Sequence, residues 1–193
     1  MKKPILIVVI AVIIITGAAL FYFRDKLPSF KPEKEIGNKE NILKKNNFSI
    51  NLPEGWVEVA ALMGASATAV DSNEKIDDVK AQRINFRSYF SIVYDNLGQR
   101  TKEQYYQEIK DSLKNAFSGI VFPQEEKGLV DNKDVYFLEA EFSQQEVDFY
   151  VMLAINIGEK DVWIVSFNTL KTSWNNYKDI FYQTARSFKS IKI

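Results

Sequence analysis

Three apolar runs close together in the chain read Val135-Tyr-Phe-Leu-Glu-Ala-Glu-Phe142, Val147-Asp-Phe-Tyr-Val-Met-Leu-Ala-Ile-Asn-Ile157 and Val162-Trp-Ile-Val-Ser-Phe-Asn-Thr-Leu170. Short polar breaks at Ser143 to Glu146 and at Gly158 to Asp161 separate them. Runs rich in β-branched and aromatic residues, bounded by turn residues, are typical of strands joined by hairpins. The stretch therefore predicts a meander of three antiparallel strands.

Symmetric pairing across the two breaks predicts which side chains share a face of this sheet. One face would carry Tyr136, Leu138, Ala140, Phe142, Val147, Phe149, Val151, Leu153, Ile155 and Ile164. The other would carry Phe137, Met152, Ala154, Trp163, Val165 and Phe167. Both faces are apolar, whereas a sheet with one wet face would alternate between apolar and polar residues. We therefore predict an α+β fold, a three-layer α/β/α sandwich with a central antiparallel sheet.

The composition excludes several classes of chemistry. The chain of 193 residues has room for one domain and an appendage, and it contains no cysteine and no histidine. Disulfides, thiolate metal sites, cysteine nucleophiles and imidazole catalysis are therefore excluded. The net charge of zero combines +2 at Lys2 and Lys3 with +3 over Arg24 to Asn46, which leaves −5 for the remainder. An acidic folded part argues against nucleic acid as a partner.

The amino-terminal residues 1–23 are predicted to form a transmembrane anchor. Ile5 to Phe23 is an uncharged run of 19 residues, and a helix of that length spans about 28 Å, close to the thickness of a bilayer core. A cleaved signal peptide is the alternative, because Thr16-Gly17-Ala18 offers the small residues that signal peptidase accepts. We favour a retained anchor, since the apolar run continues through Leu20 into aromatic residues typical of the membrane interface.

Two features of the sequence predict opposite orientations of this span in the membrane. More basic residues follow the span than precede it, which on the positive-inside rule leaves the domain in the cytoplasm. The short head of Lys2 and Lys3, followed at once by the apolar run, is instead typical of a secretory signal, and we expect export. Residues 24–47 mix proline, glycine and alternating charges and predict a flexible tether. A short charged helix over Pro32 to Lys45 is the alternative.

Residues 48–193 are predicted to form the folded domain. Phe48 to Pro53 and Trp56 to Val59 have the pattern of two strands joined by a turn, which we interpret as a half-buried hairpin. Ser66 to Val70 is a candidate short strand, and Arg83 to Asp95 predicts a longer one with a bulge.

Two amphipathic helices are predicted as the covers of the sheet. Thr101-Lys-Glu-Gln104 is a capping box, and the apolar residues after it recur at helical spacing until Gly119. Thr172 or Ser173 is expected to cap a last helix, which would face the sheet with Trp174, Tyr177, Ile180, Phe181, Ala185 and Phe188.

A resemblance to the PsbP-like superfamily rests on the entry Phe48-Ser-Ile-Asn-Leu-Pro-Glu-Gly-Trp56, a middle helix, a long meander and a closing helix that ends Ala185-Arg-Ser-Phe-Lys-Ser-Ile191. That superfamily is named after an extrinsic photosystem subunit, and its fold is shared with the Ran-binding nuclear import factor Mog and many exported bacterial domains. The resemblance covers Phe48 to Ile193. It implies an α/β/α sandwich that acts in binding or assembly without chemistry of its own, and it carries over no metal-binding or partner-binding residue.

Three carboxylates on the meander form the candidate metal site. Under symmetric pairing Glu139 and Glu141 share a face and Glu141 lies opposite Asp148, so a cation is expected nearby. Three carboxylates supply the hard oxygens that calcium prefers. The alternative is a solvated or ion-paired end of the sheet, with an arginine or lysine such as Arg83 or Arg87 as the basic partner.

The sequence predicts no enzyme and no cofactor. Ser66 and Ser166 have no histidine base, neither lies in a Gly-x-Ser-x-Gly turn, and there is no glycine-rich phosphate loop. We therefore expect a membrane-tethered, non-catalytic accessory domain outside the cytoplasm that binds a protein partner in the cell envelope. A small-ligand or calcium-binding domain using Glu139, Glu141 and Asp148 is the first alternative, and an enzyme acting through Asp or Glu is the second.

Overall fold

The computed structural model describes residues 41–62 and 64–191, a mixed α/β fold with antiparallel sheets. Its strands are β1 (Ile42–Lys44), β2 (Phe48–Asn51), β3 (Trp56–Val59), β4 (Ala67–Asp71), β5 (Tyr89–Asn96), β6 (Glu125–Val130), β7 (Lys133–Gln144), β8 (Val147–Ile157), β9 (Asp161–Leu170) and β10 (Lys189–Ser190). Its helices are α1 (Val79–Arg83), α2 (Lys102–Ala116) and α3 (Trp174–Arg186), the last preceded by a 3-10 turn at Lys171–Ser173.

The predicted anchor at residues 1–23 lies outside the described part of the chain. Within 41–62 and 64–191, no helix combines the length and the apolar character that crossing a membrane requires. The anchor therefore stays a prediction of the sequence.

Seven strands form one antiparallel sheet in the order β3-β4-β5-β9-β8-β7-β6, with the predicted meander β7-β8-β9 at its centre. Two-residue turns join β6 to β7 and β7 to β8. Asp131 and Asn132 have φ of 51° and 58°, and Gln145 and Glu146 have φ of 50° and 63°. Positive φ at both central residues is the signature of a type I′ turn, whose twist matches that of the strands it joins.

Both faces of the meander are buried, as its composition predicted. Ile164 and Phe167 are 1% and 0% exposed and belong to different hydrophobic clusters on the two sides of the sheet. The side chains predicted for each face lie there, with Leu138 and Ile155 on the side of Ile164. Burial on both sides explains why these strands lack the alternation of a half-exposed sheet.

Helices α2 and α3 lie against opposite faces of the large sheet. Helix α2 packs Tyr105, Ile109 and Leu113 into the first cluster, and α3 packs Phe181 and Ala185 into the second. The capping box predicted at the start of α2 is present. The cap predicted for the last helix is wrong, because α3 begins at Trp174 and the side chain of Ser173 before it makes no cap hydrogen bond. The two predicted covers of the sheet are thus confirmed.

The hairpin predicted between Phe48–Pro53 and Trp56–Val59 is wrong. Strand β2 lies in a separate sheet of order β1-β2-β10, and β3 pairs with β4 in the large sheet. Both edges of β2 are occupied by β1 and β10, so β3 has no free edge to join. Strand β1 falls within the predicted tether and the alternative helix, so the ordered fold begins before Phe48.

The strand predicted at Arg83–Asp95 begins six residues late, at Tyr89. The preceding residues form the short helix α1, because Asp78 Oδ1 accepts hydrogen bonds from the amides of Lys80 and Ala81 at 2.7 and 3.0 Å. Asn85, with φ of 50°, then turns the chain away from the helix. Only Arg83 of the predicted strand lies in this helix, and the turn at Ile84 and Asn85 delays the start of β5 to Tyr89.

Candidate functional site

The three predicted carboxylates share a face of the sheet, but their pairing differs from the prediction. Glu141 lies opposite Tyr150, and Asp148 lies opposite Ser143. The prediction that Glu141 pairs with Asp148 is wrong, because β7 continues through Gln144 and shifts the register by two residues. A shift of two preserves the face of every side chain, since side chains alternate with a period of two.

Glu139 is 2% exposed and accepts hydrogen bonds from two tyrosines. Tyr150 Oη bonds to Oε2, Tyr182 Oη donates to Oε1 over 2.9 Å, and Lys178 Nζ lies 3.5 Å from the same oxygen. Burial and the hydrogen bonds to Glu139 raise the pKa of both tyrosines, so both remain protonated donors at neutral pH. The carboxylate thus joins β7, β8 and α3.

Lys171 and Lys178, rather than the suggested Arg83 and Arg87, supply the positive charge expected near these acids. Lys171 pairs with Glu141, and Lys178 pairs with Glu139. Arg87 instead donates to backbone carbonyl groups of the loop between β4 and α1. In the described part of the chain, no group of three or more His, Cys, Asp or Glu residues is arranged to hold a metal ion. The calcium site of Glu139, Glu141 and Asp148 stays a prediction.

A second polar cluster lies where β5 begins. Ser88 is 0% exposed, and its Oγ donates to Glu74 Oε1 over 2.7 Å and lies 2.7 Å from Thr169 Oγ1. The Ser88 amide also donates to Glu74. Burial raises the pKa of Glu74 despite these two hydrogen bonds. Because Ser88 has no surface exposed to a substrate, this cluster supports the fold rather than chemistry.

A cleft of about 740 Å³ opens at the end of the sheet where the β6–β7 turn, the β8–β9 loop and the small sheet meet. We refer to it as the sheet-end cleft. Its lining includes Tyr94, Asn156 and Trp163 from three adjacent strands, with Asn47 and Ile191 from the small-sheet side. Loops at one end of a rigid sheet are a common place for binding residues, because the scaffold holds them while their sequences vary.

Asn156 is the unusual residue of the sheet-end cleft. It is 2% exposed, and its Nδ2 faces the carbonyl oxygens of Ala154 and Trp163 at 3.4 and 3.5 Å. Its Oδ1 is buried and has no hydrogen-bond partner among the described residues. An unsatisfied buried acceptor costs about 1–3 kcal/mol. Because Oδ1 has essentially no exposed surface, it lowers the stability of the fold and is not a contact open to a ligand in the cleft.

Sequence reasoning missed Asn156, although a signal was present. It is the single amide in the apolar run Phe149 to Ile157, where a polar side chain is expected to have a specific partner. Tyr94 was assigned to a strand, but its pairing beside Trp163 could not be known. The two rings, with centroids 4.9 Å apart, are brought together by the pairing of β5 with β9.

The charged groups around the sheet-end cleft include one ion pair and two hydrogen bonds to hydroxyl groups. Lys102 Nζ lies 2.6 Å from Asp134 Oδ2, and this hydrogen bond lowers the pKa of Asp134. Lys133 bonds to the hydroxyl of Ser190, and Tyr94 donates to Asp161 Oδ1 over 2.8 Å. The cleft therefore offers an aromatic ring and charges of both signs rather than a strong field of one sign.

The comparisons with known proteins agree with this architecture. The model of the PsbP family matches residues 41–190, starting one residue before β1. The chain belongs to the PsbP family. No curated protein matches it significantly. The match begins seven residues before the start of the predicted resemblance, and it includes the strand that the sequence analysis had assigned to the tether.

Solved structures show the same fold at low sequence identity. Cyanobacterial PsbP (CyanoP) from Synechocystis sp. PCC 6803 is 15% identical, with a TM-score of 0.57 over 83% of this chain and 100% of that one. LpqN of Mycobacterium tuberculosis, described as involved in cell envelope biogenesis, is 12% identical, with a TM-score of 0.60 over 75% and 83%. PA94 from Pseudomonas aeruginosa, a putative regulator, is 9% identical, with a TM-score of 0.52 over 79% and 97%.

Proposed function

We propose that this PsbP-family chain is a non-catalytic binding or assembly accessory of the cell envelope. Residues 1–23 would anchor it in the membrane and hold the folded domain outside the cytoplasm. Family membership, the uncharged run Ile5 to Phe23 and the envelope role stated for LpqN support this proposal. A shared fold does not identify a specific partner. The proposal therefore names the partner only as an envelope protein that binds the surface described next.

The sheet-end cleft is the observation that carries this proposal. Tyr94 is 46% exposed at its wall, and Ile191, which lines the small-sheet side, is 36% exposed. Apolar side chains surrounded by charged and amide groups have the composition of a binding surface, with an apolar centre and a polar rim. The charges of both signs at the rim would give specificity for a partner with complementary charges.

Site-specific crosslinking in native membranes tests the accessory role. A photoreactive amino acid replaces the lining residue Ile191, and the matched control replaces Val121, which is 53% exposed. Val121 bridges to Glu141, which lies about 26 Å along β7 from the cleft end of that strand. We expect a discrete protein adduct from position 191 and none from position 121. The absence of an adduct at both positions, or equal adducts at both, would overturn the proposal.

Topology is tested by labelling, which the absence of cysteine makes simple. A Leu129→Cys variant carries one thiol on an exposed side chain, and a membrane-impermeant maleimide reports where that thiol lies. We expect labelling in cells whose cytoplasmic membrane is intact. Labelling that requires lysis of that membrane would place the domain in the cytoplasm and contradict the export proposal.

Calcium binding at Glu139, Glu141 and Asp148 is a second proposed function, supported by the shared face of the three carboxylates. The ion would have to displace Lys171 and Lys178, which pair with two of the acids. Calorimetric titration should show saturable calcium binding that Glu141→Ala abolishes. No binding by the unmodified chain, or binding that Glu141→Ala leaves unchanged, would overturn this assignment.

A further inference from the structure

We draw no further inference here: the strongest candidate, the outer edge of β6 (Glu125–Val130) in the seven-stranded sheet, pairs with no described strand, and nothing in the structure shows what covers it, because its Glu125 and Lys127 are already paired with Lys110 and Glu103 of α2.

Discussion

The hydroxyl of Tyr182 donates a 2.9 Å hydrogen bond to Oε1 of Glu139, and this contact joins the closing helix to the middle of the sheet. Tyr182→Phe should lower the free energy of unfolding by about 1.5–3 kcal/mol, because a buried charged acceptor loses a donor that water cannot replace. Urea unfolding of the full chain measures the change.

Tyr106→Phe is the matched control for this substitution. Tyr106 Oη donates to Glu125 Oε2 over 2.6 Å, but the Glu125 side chain is 41% exposed. Water can take the place of the lost donor, so the loss should stay below about 1 kcal/mol. Equal losses in the two variants would contradict the structural role of Glu139.

The two longest helices begin differently, which predicts different effects of removing a cap. Thr101 Oγ1 accepts from the Gln104 amide at 3.1 Å, and the Thr101 amide donates to the Gln104 side chain at 2.8 Å. Thr101→Ala should therefore cost about 1 kcal/mol of unfolding free energy. Ser173 makes no side-chain cap hydrogen bond at the start of α3, so Ser173→Ala should change stability much less. A larger loss at Ser173 in thermal or urea unfolding would contradict the prediction.

Two glycines with similar backbone angles differ in their surroundings. Gly55 and Gly119 have φ of 79° and 76°, but a Cβ at Gly55 would lie 2.4 Å from Asn73 Nδ2, whereas nothing lies within 4 Å at Gly119. Gly119→Ala should lower the free energy of unfolding by about 1–2 kcal/mol, because an alanine at this positive φ is strained. Gly55→Ala should lower the free energy of unfolding further, because its Cβ would also meet Asn73. Adding Asn73→Ala should remove that further loss. A double variant no more stable than Gly55→Ala alone would show that the contact is not the cause.

The pH dependence of stability should report the burial of Glu74. Burial raises its pKa above the ordinary value of 4.5. A carboxyl with a higher pKa in the folded chain binds its proton more tightly when folded, so its stabilising contribution is complete below the unfolded pKa and is lost as the pH rises through the folded pKa. The Glu74→Gln variant cannot ionise at this position, so its free energy of unfolding should not show this decrease. Between pH 4 and 7, the free energy of unfolding of the unmodified chain should therefore fall relative to that of Glu74→Gln.

Ser88→Ala provides a second measurement of the same effect. The Ser88 hydroxyl bonds to Glu74 and favours its ionised form. Without that hydroxyl the pKa of Glu74 should rise further, so stability should fall more steeply with pH than in the unmodified chain. Parallel pH profiles for the two variants and the unmodified chain would contradict the assignment to Glu74.

The meander shows which features of a sheet a local sequence pattern can predict. The prediction missed the pairing of β7 with β8 by two residues, yet it assigned Leu138 and Phe137 to the correct faces. Alternation has a period of two, so an error of two residues changes the neighbours and keeps the faces. The consequence for the site was large, because Glu141 and Asp148 were predicted to be opposite each other and are not.

The first strands of the domain show a pairing that the local sequence pattern could not predict. The run from Phe48 to Val59 has the local features of a hairpin, but Phe48 pairs with Ser190, near the end of the described chain. Nothing within the run indicates that a distant strand occupies its edge. The same limit applies to Glu139, whose partner Tyr182 lies 43 residues away.

The sequence by itself determined that the central strands are buried on both sides and that two amphipathic helices cover them, because these properties follow from the spacing of apolar residues along short segments. Only the tertiary structure decided the pairing of β2, the partners of Glu139 and the isolation of Asn156 Oδ1. These depend on distances between residues far apart in the chain, and such distances are set by the packing of the whole domain rather than by any local spacing.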